Sequence, residues 1–164
     1  MRPPIVGLHA TVYCDCFERG VTLTPPPQPE LVYVDENGQL SLIWEADGAD
    51  QFAFFAWLEA CCEHLEGKLV FHWLGNIALI AFLRERLSER ASEYPVLLEK
   101  VLYSGTHGGD YLCPEDVDRV AVEIDRLKEV HCPERESEEL IRNFEQQMFD
   151  LVAAAQRVRK PISF

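Results

Sequence analysis

Six cysteines and five histidines are the residues of this chain best suited to chemistry, and several stand close together in sequence. They form Cys14-x-Cys16, Cys61-Cys62-x-His64, Cys113 and His131-Cys132, with His9, His72 and His107 apart from them. A zinc ion takes four thiolate or imidazole donors in a tetrahedron, usually from C-x₂₋₄-C or H-x₃₋₅-H pairs, because a short turn then brings both donors to one ion. None of the pairs here has that spacing. Cys61 and Cys62 also fall on a predicted helix, about 100° apart, where they continue its apolar stripe. The spacing favours reduced thiols packed in a core over a zinc centre, so neither a metal nor a cofactor is expected.

The second constellation is the loop Ser104-Gly-Thr-His-Gly-Gly-Asp110, which gathers a hydroxyl, an imidazole and a carboxylate. A nucleophilic triad needs those groups aligned with the base oriented by the acid, and one seven-residue loop seldom achieves this. No Gly-Lys-Ser/Thr follows it, and the next helix opens with two acids that would repel a phosphate. A tight turn with Asp110 bonding a nearby amide is the structural reading; contact with a ligand or partner through His107 and Asp110 is the functional one. Carboxylate pairs such as Asp35/Glu36, Asp47/Asp50 and Glu138/Glu139 lack a neighbouring histidine or apolar pocket that would separate two pKa values. Phe52, Trp57 and Trp73 lie near the acidic half, and acidic rims around aromatic anchors describe a protein-binding surface, with core packing as the alternative. Partner contacts are expected from Asp35, Glu36, Asp47, Asp50, Trp57, His107 and Asp110.

The elements that must position these residues can be read in order. Ile5 to Tyr13 is apolar and β-branched, as in a central strand. The prolines of Thr24-Pro-Pro-Pro-Gln-Pro29 forbid helix and make a connector. Asn37-Gly38, between the β-prone arms Glu30–Asp35 and Gln39–Trp44, signals a hairpin closed by a two-residue type I′ turn. Asp47 or Asp50 caps a helix that carries Phe54, Leu58, Cys61, Cys62 and Leu65 toward Gly67 as its C-terminal cap. Leu69–Trp73 is a short strand. Asn76 caps a second helix to about Ala91, with Ile77, Ile80, Leu83 and Leu87 inward. Val96 to Tyr103 is ambiguous between helix and strand. Pro114 opens a third helix with the stripe Val117, Val120, Ala121, Ile124 and Leu127, and a last helix runs from Ser137 to about residue 158. The last two should form a helical hairpin, or the final helix should serve as a swapped, dimerising arm.

The expected fold is α+β: a small antiparallel or mixed sheet with a hairpin, packed by about four helices, in a single domain. At 164 residues, one such domain buries roughly 70% of its unfolded surface. The net charge of −13 does not prevent folding, because 48% of residues are hydrophobic, far from the composition of disordered chains. Residues 1–66 carry eleven acids against Arg2 and Arg19, whereas residues 67–164 carry seventeen acids and thirteen bases. A field of that sign repels nucleic-acid phosphates and anionic lipids and attracts a basic protein. No uncharged apolar run approaches the ~20 residues of a membrane span, and no secretory signal opens the chain, so a cytoplasmic location is expected.

The segments Gly7-Leu-His-Ala-Thr-Val-Tyr-Cys-Asp-Cys-Phe-Glu18, Pro25–Asp35, Cys62-Glu-His64, Leu74–Ile80 and Val101-Leu-Tyr-Ser-Gly-Thr-His-Gly-Gly-Asp-Tyr-Leu112 resemble an uncharacterised group of short acidic bacterial proteins over roughly residues 5–130. In layout the chain is also similar to immunity proteins of bacterial polymorphic-toxin systems. That resemblance implies a non-enzymatic inhibitor that binds a basic protein. The other open reading is a small metal-dependent or thiol enzyme built around Cys14, Cys16, His64, His107 and Asp110.

Overall fold

A computed structural model describes residues 6–164. The opening apolar run forms β1 (Leu8–Tyr13), whose Leu8, Ala10 and Val12 are fully buried; Ile5, also expected in this strand, lies outside the described residues. β1 pairs antiparallel with β4 (Lys68–Gly75) and with β6 (Ile162–Ser163). β6 pairs in turn with β5 (Tyr111–Leu112), which gives the sheet order β4-β1-β6-β5. A separate two-stranded sheet joins β2 (Val32–Val34) to β3 (Leu40–Leu42). Helices α1 (Gly48–Leu58), α2 (Ile77–Ser88), α3 (Pro114–Arg126) and α4 (Arg135–Val158) complete an α+β fold with antiparallel sheets, as the sequence patterns require.

The helices begin where short polar residues satisfy their free amides. Asp47 and Asp50 bond each other's backbone N–H in a reciprocal capping box, and the Asn76 side chain accepts from Leu79 N at 2.9 Å. Pro114 occupies the first position of α3, where a missing N–H costs nothing. The expected stripes of α2 and α3 are buried, except that Ala121 is half-buried and Ile77 faces solvent. α4 starts two residues before Ser137, and its Ile141, Phe144, Met148, Leu151 and Ala155 are covered by the same chain, against α3 and the sheet.

Two local expectations are corrected and one open reading is resolved. α1 ends at Leu58, well short of Gly67. The ambiguous stretch becomes a π-helical turn, Leu97–Val101, and the buried carboxylate of Glu123 holds its start by accepting from Val96 N at 2.9 Å and Leu97 N at 2.8 Å. Burial pushes the Glu123 carboxyl above its usual range, against the pull of those two amides. The hairpin closes through a three-residue loop in place of a type I′ turn. Gly38 N donates to Asp35 O and Asp35 N to Gln39 O, and only Gly38 of the loop has positive φ, at +80°. The Asp35 carboxylate accepts from Asn37 N, Gln39 N and Ser41 Oγ, and this favours a type I turn followed by a left-handed glycine.

Two apolar clusters result. The larger joins the four-stranded sheet to α2, α3 and α4. The smaller consists of Phe54, Trp57, Leu58 and Cys61, flanked by Phe17, Val32, Leu40 and Leu42, and holds α1 against the hairpin.

Gly38→Val should lower stability by about 1–3 kcal/mol, because the residue is left-handed and its Cβ would lie 3.1 Å from Pro161. Glu123→Gln should cost a similar amount, about 1–3 kcal/mol, since each buried amide bonds a different carboxylate oxygen and a carboxamide replaces one of these with an NH2 donor. Denaturant midpoints at constant m-value check both.

Candidate metal centre

Two segments meet at the end of β1: residues 14–16, which run on from the strand into a turn, and residues 61–64, a bend in the loop after α1. Cys14 N donates to Gly67 O at 2.8 Å, carrying the β1–β4 ladder one residue past Tyr13. Cys14 and Cys16 thus present their thiols from the same strand end. The second segment exists because α1 stops early. His64 is extended (φ −92°, ψ 120°) before a turn in which Glu66 and Gly67 are left-handed, and Leu23 N donates to Cys61 O at 2.8 Å to hold this loop in place. Cys62 and His64 face the first pair as a result.

The donor atoms of Cys14, Cys16, Cys62 and His64 all lie within 4.8 Å of one another. Cys14 Sγ is 3.8 Å from Cys62 Sγ, His64 Nδ1 is 3.4 Å from Cys16 Sγ, and Cys62 Sγ is 3.7 Å from His64 Nδ1. A tetrahedron with Zn–S near 2.3 Å and Zn–N near 2.05 Å has S···S edges of about 3.8 Å and S···N edges of about 3.6 Å. Three of the six separations match those edges, and the other three are no longer than 4.8 Å. The 3.8 Å between Cys14 and Cys62 is also far beyond the ~2.05 Å of a disulfide, and all six cysteines are free.

Cys14 and Cys16 are buried, while Cys62 and His64 are half-buried. Burial raises the Cys14 thiol; burial first, and then the neighbouring thiols of Cys14 and Cys62, push Cys16 up to about 12. Neutral thiols therefore suit the cluster by itself, and a divalent cation reverses that balance by taking thiolates as ligands. Around the cluster, His64 Nε2 is 3.9 Å from a Glu63 carboxylate oxygen. The buried ammonium of Lys160 donates to Cys14 O at 2.7 Å. Cys16, Cys62 and His64 also line an open cleft of about 490 Å³ between Arg19 and Arg157.

The expectation of packed thiols is met by Cys61, which is buried in the smaller cluster. The pairing of Cys61 and Cys62 on one helical stripe is overturned, because neither is on a helix. The residues expected to meet a partner are distributed differently. Asp35 organises the hairpin loop and Glu36 is exposed beside it, while Asp47 and Asp50 cap α1. Trp57 is a core residue whose indole N–H donates to Thr24 O at 3.0 Å, so its ring is not a free anchor.

His107 and Asp110 lie in a different arrangement. His107 Nδ1 is 3.0 Å from Asp110 Oδ2 and Nε2 is 2.9 Å from Val101 O. The ring stacks on Tyr103, whose hydroxyl donates to Asp110, and packs against Phe164. Gly109 N donates to Phe164 O and Phe164 N to Asp110 O, so the loop fastens β6 beside β5. His107 and Asp110 do not join the cysteine cluster.

Comparison with protein-family models, curated proteins and solved structures finds no match for this chain.

Cys14→Ser, Cys16→Ser, Cys62→Ser and His64→Gln should each abolish stoichiometric zinc in protein purified under reducing conditions. Cys61→Ser, Cys113→Ser and Cys132→Ser should retain one zinc per chain, as read by elemental analysis and by the spectrum of the cobalt-substituted protein.

Proposed function

We propose that the chain is a non-enzymatic, zinc-binding interaction domain in which Cys14, Cys16, Cys62 and His64 hold one Zn²⁺. The observation that carries this reading is the cluster of four donors, three of whose six separations have tetrahedral edge lengths. Four protein donors fill a zinc ion's tetrahedron and leave no position for water or substrate, the arrangement of structural rather than catalytic zinc. Three thiolates and a neutral imidazole give the centre a single net negative charge, and the Lys160 ammonium, paired with Glu18, holds the Cys14 carbonyl beside it. The metal ties the end of β1 to the loop after α1, so that the hairpin and α1 are carried on the larger sheet.

Thiolate ligands must stay reduced, which suits a cytoplasmic protein; among the described residues no helix is long and apolar enough to cross a membrane. The acidity of the part that the metal holds supports a basic protein as partner, and an immunity-type inhibitor is a function of this kind.

Structural zinc in small domains is worth on the order of 10–16 kcal/mol, but here the larger core does not include the cluster. Chelation of zinc should therefore melt one part selectively. Hydrogen exchange should accelerate sharply across residues 14–67 while the amides of α3 and α4 stay protected, and added Zn²⁺ should restore the slow exchange. Uniform protection with and without chelator would overturn the proposal, as would hydrolytic turnover that depends on the bound zinc.

A further inference from the structure

The hairpin and α1 present an unpaired strand edge in an acidic, aromatic setting. β3 pairs only with β2 among the described residues. The register Val32↔Leu42, Tyr33↔Ser41 and Val34↔Leu40, bracketed by bonds from Ile43 N to Leu31 O and Asp35 N to Gln39 O, turns the Ser41 peptide groups toward β2. The amides and carbonyls of Leu40 and Leu42 then point outward. A groove of about 330 Å³ runs there, lined by six consecutive residues from Gln39 to Trp44, by Tyr33 of β2 and by Gln51, Phe54 and Phe55 of α1. Consecutive residues line a groove along an edge, because a sheet face shows only every second side chain.

Around this groove large apolar side chains stand in water. Trp44 is 89% exposed, Phe52 79% and Phe55 58%. The charge about them is of one sign: from Gly20 to Gly67 the chain has nine Asp and Glu and no Lys or Arg. Glu45 follows Trp44, and Glu59 and Glu66 line an adjoining cleft that shares Gln39 and Phe55 with the groove. The one nearby base in that cleft, Lys68, is paired with Glu66. Exposed aromatic faces in a negative field bind guanidinium and ammonium groups by cation–π and charge attraction together.

We propose that this groove binds an extended basic polypeptide segment, which adds as a strand to the β3 edge and lays alternate Arg or Lys side chains against Trp44, Phe55 and the surrounding carboxylates. Main-chain hydrogen bonds give such an interaction its affinity and the alternate side chains its selectivity. The inference deepens the reading of the chain as an interaction domain and does not involve the metal ligands.

The test uses the zinc-loaded full chain and three synthetic ten-residue peptides, read by fluorescence anisotropy with zinc content measured on the same samples. One peptide alternates Arg and Val, the second alternates Glu and Val, and the third is the Arg-Val peptide with every second backbone amide N-methylated. The Arg-Val peptide should bind and weaken at least about tenfold between ~0.05 M and ~0.5 M salt, while the Glu-Val peptide should not bind. N-methylation and the double substitution Trp44→Ser/Phe55→Ser should each weaken binding about tenfold, the equivalent of one buried contact of about 1.4 kcal/mol. Absence of Arg-Val binding, equal binding of the N-methylated peptide, or indifference to the double substitution overturns the inference, and if zinc remains stoichiometric the metal-binding reading stands. If the chain purified under reducing conditions and supplied with Zn²⁺ holds no zinc yet binds the peptide in this pattern, the groove is supported and the zinc centre is overturned.

Discussion

One buried ammonium holds together parts of the chain that are far apart in sequence. Lys160 is nearly inaccessible, with 7% of its side chain exposed, and its Nζ donates to Cys14 O, to Gly38 O at 2.9 Å and to a Glu18 carboxylate oxygen at 2.6 Å. A lone buried cation would cost several kcal/mol, so its carboxylate partner and both carbonyls must be delivered together. That requirement fixes the turn after β1, the tip of the hairpin and the segment after α4 relative to one another. Arg159, left-handed at φ 56°, is what turns the chain out of α4 and points Lys160 inward. The Pro161 ring then lies against Gly38, where nothing larger than glycine fits without displacement. The cysteine loop, the hairpin and the sheet are therefore one positioned unit, even though the hairpin shares no strand with the main sheet.

The α+β class, the helix starts and the apolar stripes were legible because each rests on local chemistry: a capping carboxylate, a proline at a first turn, a repeat of 3.6 residues. The hairpin was legible as a hairpin. Its loop was not, because Asn-Gly suits a type I′ turn, and only the Asp35 carboxylate, bonding two amides and a hydroxyl, selects the longer loop. β5 and β6 have two residues each and no periodicity to read; their pairing comes entirely from tertiary contact.

The cluster of Cys14, Cys16, Cys62 and His64 was hidden by one wrong boundary. Carrying α1 on to Gly67 places Cys61 and Cys62 on a helical stripe and makes C-x-C and C-x-H look like spacings no zinc site uses. Once residues 61–64 leave the helix as a bend, Cys62 and His64 can face Cys14 and Cys16 across the loop. The matching i, i+2 pattern of the two pairs was the signal available in the sequence. Among the aromatics, burial separated Trp57, which belongs to the core, from Trp44 and Phe52, which do not. Composition could not make that distinction, because all three lie in the same acidic stretch.

β6 is last in chain order yet lies between the first strand and β5 in space. A ribosome delivers the chain from its N-terminal end at about 5–20 residues per second, and throughout that delivery β1 has a vacant edge where β6 will insert. Neither β1 nor β5 can complete its hydrogen bonding until Ile162 and Ser163 have emerged. An edge left open in this way is a template for pairing with other chains. Zinc capture by residues 14–64, all synthesised early, would clamp the end of β1 during that interval and shorten the exposed length of strand. The acidic stretch from Gly20 to Gly67 would meanwhile keep nascent copies of the chain apart by mutual repulsion.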